Sequence, residues 1–421
     1  MLESIRKMWA VPELRKKIIY TFLMLVLYRL VGVIPAPGVD AAKVFASDAT
    51  QNLPLLELVN MMTGNSFSQM TIMAMGITPY INASIIMQLL CIAIPALERL
   101  SKDENGGREK IGRITRYVTV GLAAVQAIGL VAGLGYIRSG WLNYVLVGVS
   151  MAGGSALAMW IGERITEKGV GNGVSLLILV GIVSNLFNGL ISGFSSASTT
   201  SGWINLLVII ALFLIMIVVV TFVDSGERRI PLQISKQVKG RRVYGGQSTH
   251  MSLKVISVGV LPLIFAYSFL AFPATLIQLI GGTSSGAYIW WYTYMNSGTV
   301  WYMIISALLI IAFTYFYSAI SFDPKQQAEQ LIMQGAVIPG TRGKNIRQYL
   351  QNIVSRLNLF AALFLAVLAA VPTLLTAQLQ TSIPFAASSI LIAVSVSLET
   401  MRALQGEMSV RGIDTDMEGF M

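Results

Sequence analysis

"GITPYINASI" (residues 76–85) interrupts a long apolar stretch with Gly76, Pro79, Tyr80, Asn82 and Ser84. Proline removes a backbone donor and clashes with the preceding helical turn. The polar groups freed by such a break must find partners in protein or water, because lipid offers none. The segment is therefore read as a wall facing the inside of a bundle rather than as a lipid-facing span. Its Asn82, Ser84 and Gln88 support a polar cavity beside it, although Ser84 alone fits equally well as interhelical glue worth about 1 kcal/mol.

The rest of the chain supplies the bundle. Of its 421 residues 55% are hydrophobic and 12% charged, with a mean hydropathy of +0.69. Ordinary soluble domains carry about twice that charge fraction. Tyr117–Ile137, Trp141–Gly162, Trp203–Val223 and Val300–Phe322 contain no Asp, Glu, Lys or Arg. Each is long enough for the roughly 20 residues that cross hydrocarbon. Hydropathy and flanking charge predict an all-α polytopic membrane protein with ten transmembrane helices. They lie near 18–35, 70–97, 117–137, 141–162, 172–192, 203–223, 255–281, 300–322, 357–378 and 384–400. The first run, Ile18–Pro35, follows a basic N-terminus but lacks a small-residue cleavage site, so it is read as a retained span.

Charge sets the orientation. Alternate segments beginning with residues 1–17 hold 27 of the 30 Lys and Arg residues, and the intervening loops hold only Lys43 and Arg138. That asymmetry places both termini and the large basic loops in the cytoplasm, and topology alone accounts for most of the net charge of +10. Two basic loops, 224–254 and 323–356, are much longer than the other links. Long loops in compact proteins are usually functional or disordered. "QVKGRRVYGGQSTHMSLK" (237–254) sets Arg241 and Arg242 beside Tyr244, and "GAVIPGTRGKNIRQYL" (335–350) sets Arg342 and Lys344 on a Pro/Gly turn. Such residues suit docking on RNA or an acidic protein face; a solvated loop with positive-inside bias is the plainer reading.

An internal repeat is expected. "GITPYI" (76–81) and "GVLPLI" (259–264) both place Gly three residues before Pro and Ile two after it. If spans 1–5 repeat as 6–10, these are equivalent positions, and an odd number of spans per half inverts the second half across the membrane. "LLILV" (176–180) and "SILIAV" (389–394) align loosely in spans five and ten. The expected division is residues 1–192, residues 203–402 and a short tail over 403–421.

Much chemistry is excluded by what is scarce. One cysteine, Cys91, and one histidine, His250, leave no disulfide, no thiolate metal site and no His-based triad. No enzyme activity, cofactor or metal is expected. "GVGNGV" (169–174) lacks the lysine of a phosphate-binding loop and is read as a helix start. Within the spans Arg29 is the clear ionisable residue, and Glu399 marks the inner end of span ten. A transporter coupled to ions or protons keeps ionisable groups at mid-membrane depth, so a solute transporter with a 5+5 repeat fits less well than a passive conduit. A membrane-embedded protease lacks its catalytic pair.

Long motifs then carry a resemblance that runs almost end to end. "YRLVGVIPAPGVD" (28–40), "ALERLSKDENGGREKIGRITRY" (96–117), "ITEKGVGNGVSLLI" (165–178), "GRRVYGGQSTHMSLKV" (240–255), "AFPATL" (271–276) and "GAVIPGTRGK" (335–344) together resemble the SecY/Sec61-alpha family of protein-translocation channels. The resemblance implies ten helices in two pseudo-symmetric inverted halves around an hourglass pore. It implies, further, a channel that passes unfolded secretory chains across the bacterial plasma membrane and releases membrane segments sideways into lipid. By local match, the aliphatic ring at its waist falls on Ile77, Ile81, Ile178, Ile182, Ile264 and Ile392. The i,i+4 spacing of the first two pairs puts each on one helix face, and branched apolar side chains can hold back water and ions by dewetting. The family's plug maps to about 55–67, including Leu58, Val59, Met61, Met62, Thr63, Gly64 and Asn65. Asn82, Gln88 and Phe272 fall along the lateral gate, between spans 2–3 and 7–8, and Arg241, Arg242, Arg342 and Lys344 on the docking loops. The implied partners are SecE as an obligate subunit, SecG, the SecA motor ATPase, the ribosome, signal sequences and translocating chains. The acidic tail matches least and carries no implied function.

Overall fold

The computed structural model describes residues 9–40, 60, 62–103, 106–133, 137–138, 140–196, 200–234, 237–239, 242–244, 248–256, 259, 261–281, 286–295, 299–339, 346–379 and 387–409. Ten long helices account for most of them. In chain order the elements are α1 (Pro12–Val31), α2 (Thr78–Ala93), short α3 (Pro95–Lys102), α4 (Gly107–Gly133), α5 (Trp141–Lys168), α6 (Gly173–Ser196) and α7 (Thr200–Asp224). Strands β1 (Glu227–Ile234), β2 (Gln237–Lys239), β3 (Arg242–Tyr244) and β4 (Ser248–Lys254) follow. The chain continues through α8 (Leu261–Gly281), α9 (Gly286–Tyr294), α10 (Val300–Ser321), α11 (Pro324–Met333), β5 (Ala336–Val337), α12 (Ile346–Leu379) and α13 (Ala387–Ser409).

The helix starts obey local chemistry. Pro12, Pro79, Pro95 and Pro324 stand in the first helical turn, where the missing N–H is harmless. Asp323 caps α11 by accepting from the Lys325 amide at 2.9 Å, and Thr299 caps α10 through the Tyr302 amide at 3.3 Å. In "GVGNGV" the Asn172 side chain accepts from the amides of Val174 and Ser175, so the motif is the cap of α6.

Several boundaries differ from the hydropathy reading. Span two does not run from 70 to 97: residues 72–77 are turns, and α2 covers only Thr78–Ala93. Met70 and Gly76 take positive φ (48° and 51°), which no helix tolerates, and Ile94 is forced extended by the proline that follows it. The chain bends there by 108° into α3. Span seven starts at Leu261 rather than 255, and α12 begins eleven residues ahead of the expected start at 357. Among the described residues, α5 and stretches within α7, α10–α11 and α12 are apolar and long enough to cross a membrane on length and composition alone. Bent α2–α3 makes a fifth, whereas α1, α4 and α13 carry charged turns near an end.

Within the first five long helices α4 packs on α5 and α2, and α1 on α5 and α6; within the second five α10 packs on α12 and α8, and α7 on α13. The two sets meet where α8 lies on α4 and α13 on α6. The two long basic loops are not separate. β1 pairs antiparallel with β4 and with β5, giving a sheet of order β4-β1-β5 that joins both loops. Ile230, Leu232 and Leu253 share a buried core with Ala328, Leu331, Ile338, Ile346 and Leu350.

Candidate pore and its outer seal

The motif shared by the two halves has a shared geometry. Gly76 and Gly259 both lie at positive φ, 51° and 62°, a conformation open to glycine at little steric penalty. Each is followed within two residues by a helix, so Ile81 and Ile264 both fall in the first turn. Ile77 stands at the cap of α2, one turn before Ile81. Ile178 and Ile182 follow each other on α6, and Ile392 lies near the start of α13. All six isoleucines, from four helices, enter one buried cluster, and none is more than 7% exposed. Met62, Met73, Phe265 and Val396 complete its centre.

On one side of the cluster opens a cavity of about 700 Å³. Ile81, Ile178, Ile264 and Ile392 line it at the apolar end; Arg116, Glu163, Lys254, Asp224, Glu399 and Arg402 bring charge to it. Asp224 ends α7 and Lys254 ends β4, at the two ends of the first long basic loop. Arg116 pairs with Glu163 at 2.9 Å. Asp224, 7% exposed, accepts from Ser395 Oγ at 3.2 Å and lies 3.9 Å from Arg402 Nη1. The vestibule thus brings charged side chains and the isoleucines of the cluster to one cavity.

Ahead of α2, residues 60 and 62–77 pack on the cluster through Met62, Met73 and Ile77. Asn185 Nδ2 on α6 donates to the Asn60 carbonyl at 2.8 Å. Arg29 Nη1 on α1 donates to the Gly64 carbonyl at 3.2 Å and, at 3.5 Å, to that of Thr63. Met62 lies so close to α6 that a Cβ on Gly181 would sit 2.0 Å from its carbonyl oxygen. Asn60 braces the turn internally by donating to Asn65 Oδ1 and accepting from the Ser68 amide. Behind it, Ser66 donates to the Gly32 carbonyl and the Ile72 amide to that of Ile34, tying the segment to the chain after α1.

The remaining expected site residues are placed unevenly. Gln88 and Ser84 line the vestibule, whereas Asn82 is half-buried and off its lining. Phe272 lies in α8, with its side chain outside the described residues, and Arg242 opens β3 in the same condition. Leu58, Val59, Met61, Arg241, Arg342 and Lys344 lie outside the described residues altogether. Of the expected plug, Met62 and Thr63 are helical and Gly64 and Asn65 form the turn after them, both at positive φ. Sequence reasoning did not assign Arg29, Asn185 and Gly181 to the seal. Arg29 had a signal, as the one clear ionisable group inside a span, while Asn185 and Gly181 had none.

An inverted pair of five-helix units, with an apolar cluster between an open charged vestibule and the packed segment ahead of α2, defines a multi-pass membrane channel. A family model described as SecY matches residues 71–401. The chain is 39% identical to "Protein translocase subunit SecY" of Streptomyces scabiei over the whole of both chains, and 36% identical to that of Escherichia coli K12 over 93% of this chain and 91% of the other. The chain belongs to the SecY family of protein translocase subunits. Among solved structures, its fold is similar to one concerned with the plug domain of SecY and the closed state of its channel (TM-score 0.68, 21% identity, covering 96% of this chain and 95% of the other). Another is Sec61 in a canine ribosome–channel complex (TM-score 0.64, 19% identity, covering 96% and 95%).

Proposed function

We propose that the chain is the passive pore of a bacterial plasma-membrane translocase, with both termini cytoplasmic and no enzymatic activity of its own. Unfolded secretory chains enter through the charged vestibule, part the isoleucine ring and leave on the outer side. The carrying observation is the convergence of six isoleucines from four helices beneath an open cavity. Branched aliphatic side chains can yield around a passing chain and close again, and a dry constriction resists ions. The segment around 55–67 acts as the plug, and membrane segments exit between α2–α4 and α8–α10, past Asn82, Gln88 and Phe272.

The β4-β1-β5 platform and its loops, with Arg241, Arg242, Arg342 and Lys344, receive the ribosome or the SecA motor, which supplies the energy. A solved relative of this fold sits in a ribosome–channel complex, which supports the first of these partners. SecE is the obligate companion and SecG an additional one. The expected halves are residues 1–192 and 203–402. The test is reconstitution of the chain with a SecE-like subunit and a motor ATPase in vesicles, scored by entry of a signal-bearing preprotein. Protected, full-length preprotein is the expected outcome; vesicles that take up none with every component active would reject the reading.

A further inference from the structure

We propose that Asp224, held by Ser395 and Arg402, is a positioning residue that fixes the neck of the β4-β1-β5 platform to the pore helix. A partner docked on the platform acts on the isoleucine ring through this clamp. The inference rests on the pore and platform readings above and adds to them the contact that joins the two. Asp224 is the last residue of α7 and stands three residues before Glu227 opens β1. Directly behind it the two ends of the first basic loop meet: the Val255 amide donates to the Gly226 carbonyl at 2.9 Å, and Glu227 pairs with Lys254 in the sheet. From α13, Ser395 Oγ donates to Asp224 Oδ1 at 3.2 Å. Arg402 Nη2 donates to the Asp224 carbonyl at 3.3 Å, and its Nη1 lies 3.9 Å from Oδ2. Ser395 and Arg402 are seven residues apart, two turns along one helix face. Ser395 is also three residues beyond Ile392, and all three line the vestibule with Asp224.

Two kinds of contact hold α7 to α13, and they fix different things. Met216 and Val220 of α7 share an apolar core with Ile390 and Leu391 of α13. Such contact is non-directional and holds the helices together without setting their register. Hydrogen bonds demand a particular distance and angle, so the clamp sets where the neck lies along α13. Asp224 is 7% exposed, and a carboxylate so buried needs hydrogen bonds and an opposite charge in compensation. Sliding the neck along α13 would strip those partners from it. The neck and the turn of α13 that follows Ile392 therefore move as one, while the apolar core keeps the fold when the clamp is cut.

The experiment uses the full chain with its SecE-like partner in vesicles and compares motor binding with motor-driven preprotein entry. Arg402→Gln is expected to bind the motor ATPase as the parent does yet lower preprotein entry about tenfold, the shift that losing one charge-assisted bond produces. Arg402→Lys, which keeps a charge beside Asp224, is expected to recover most of that entry. Asp224→Asn should match Arg402→Gln, and the double variant should fall no further than either alone, because each removes the same clamp. Unchanged entry in Arg402→Gln, or an additive, hundredfold fall in the double variant, would overturn the proposal. So would a loss of motor binding that matches the loss of entry, since the clamp would then only shape the platform. Should Arg402→Gln fail to assemble, Ser395→Ala carries the test, with a severalfold fall in entry expected and an unchanged rate overturning it. A parent that binds the motor but imports nothing would count against the pore reading, and one that does not bind it against the platform reading.

Discussion

The same six-residue motif opens α2 in the first half and α8 in the second, yet the two glycines have opposite surroundings. Gly76 is crowded: a Cβ there would lie 2.7 Å from Thr63 Cγ2. Among the described residues, nothing lies within 4 Å of a Cβ placed on Gly259, which lines the open vestibule. The contrast is confined to the glycines, since Ile81 and Ile264 of the two motifs both line the cavity. A similar left-handed glycine thus stands in a packed setting under Thr63 in one half and in an open one in the other. Function here comes from breaking a symmetry that the helices keep.

The largest expected effect attacks what the motifs share. Replacing Ile81, Ile182 and Ile264 together by Ser should make the resting channel leak ions strongly, since each loses a buried aliphatic side chain worth about 2–5 kcal/mol of packing. Unchanged conductance of vesicles holding the triple variant would count heavily against a seal at this cluster. Next comes the crowded face. Gly181→Leu must displace the Met62 backbone, because the clash at 2.0 Å is with a carbonyl oxygen and not with a pliable side chain. A lower melting temperature in detergent and a leak should appear together.

A smaller effect sharpens the comparison itself. Gly76→Ala and Gly259→Ala both incur about 1–2 kcal/mol for a left-handed residue with a Cβ, but only the first also presses on Thr63. Gly76→Ala should therefore destabilise more and leak more; equal effects from the two would dissolve the contrast drawn between the faces. Arg342→Glu, on the proposed docking loop, should slow motor- or ribosome-driven import several-fold without lowering the melting temperature. The smallest effect belongs to the exposed Arg113–Glu109 pair at 3.6 Å: Glu109→Gln should change stability by less than about 0.5 kcal/mol.

The helices were largely legible because apolar runs bounded by charge are a strong signal. Their edges were not, where Met70 and Gly76 turn left-handed inside an apolar run: hydropathy sees composition and not φ. The isoleucine positions came from the resemblance, and the spacing of Ile77 with Ile81 and Ile178 with Ile182 agreed with a shared face. The convergence of all six depends on tertiary packing that no local pattern encodes. The basic loops were legible as long and charged. Their union was not, since β5 is the dipeptide Ala336–Val337, too short to show strand periodicity, and its partner lies about a hundred residues earlier.

That union has a mechanical consequence. A handhold made of two independent loops would let a docked partner tug either one and spend the motion in slack. Here a sheet and a core shared with α11 and α12 join both loops into one unit of the second half. A partner docked there, as proposed above, would load both loops together.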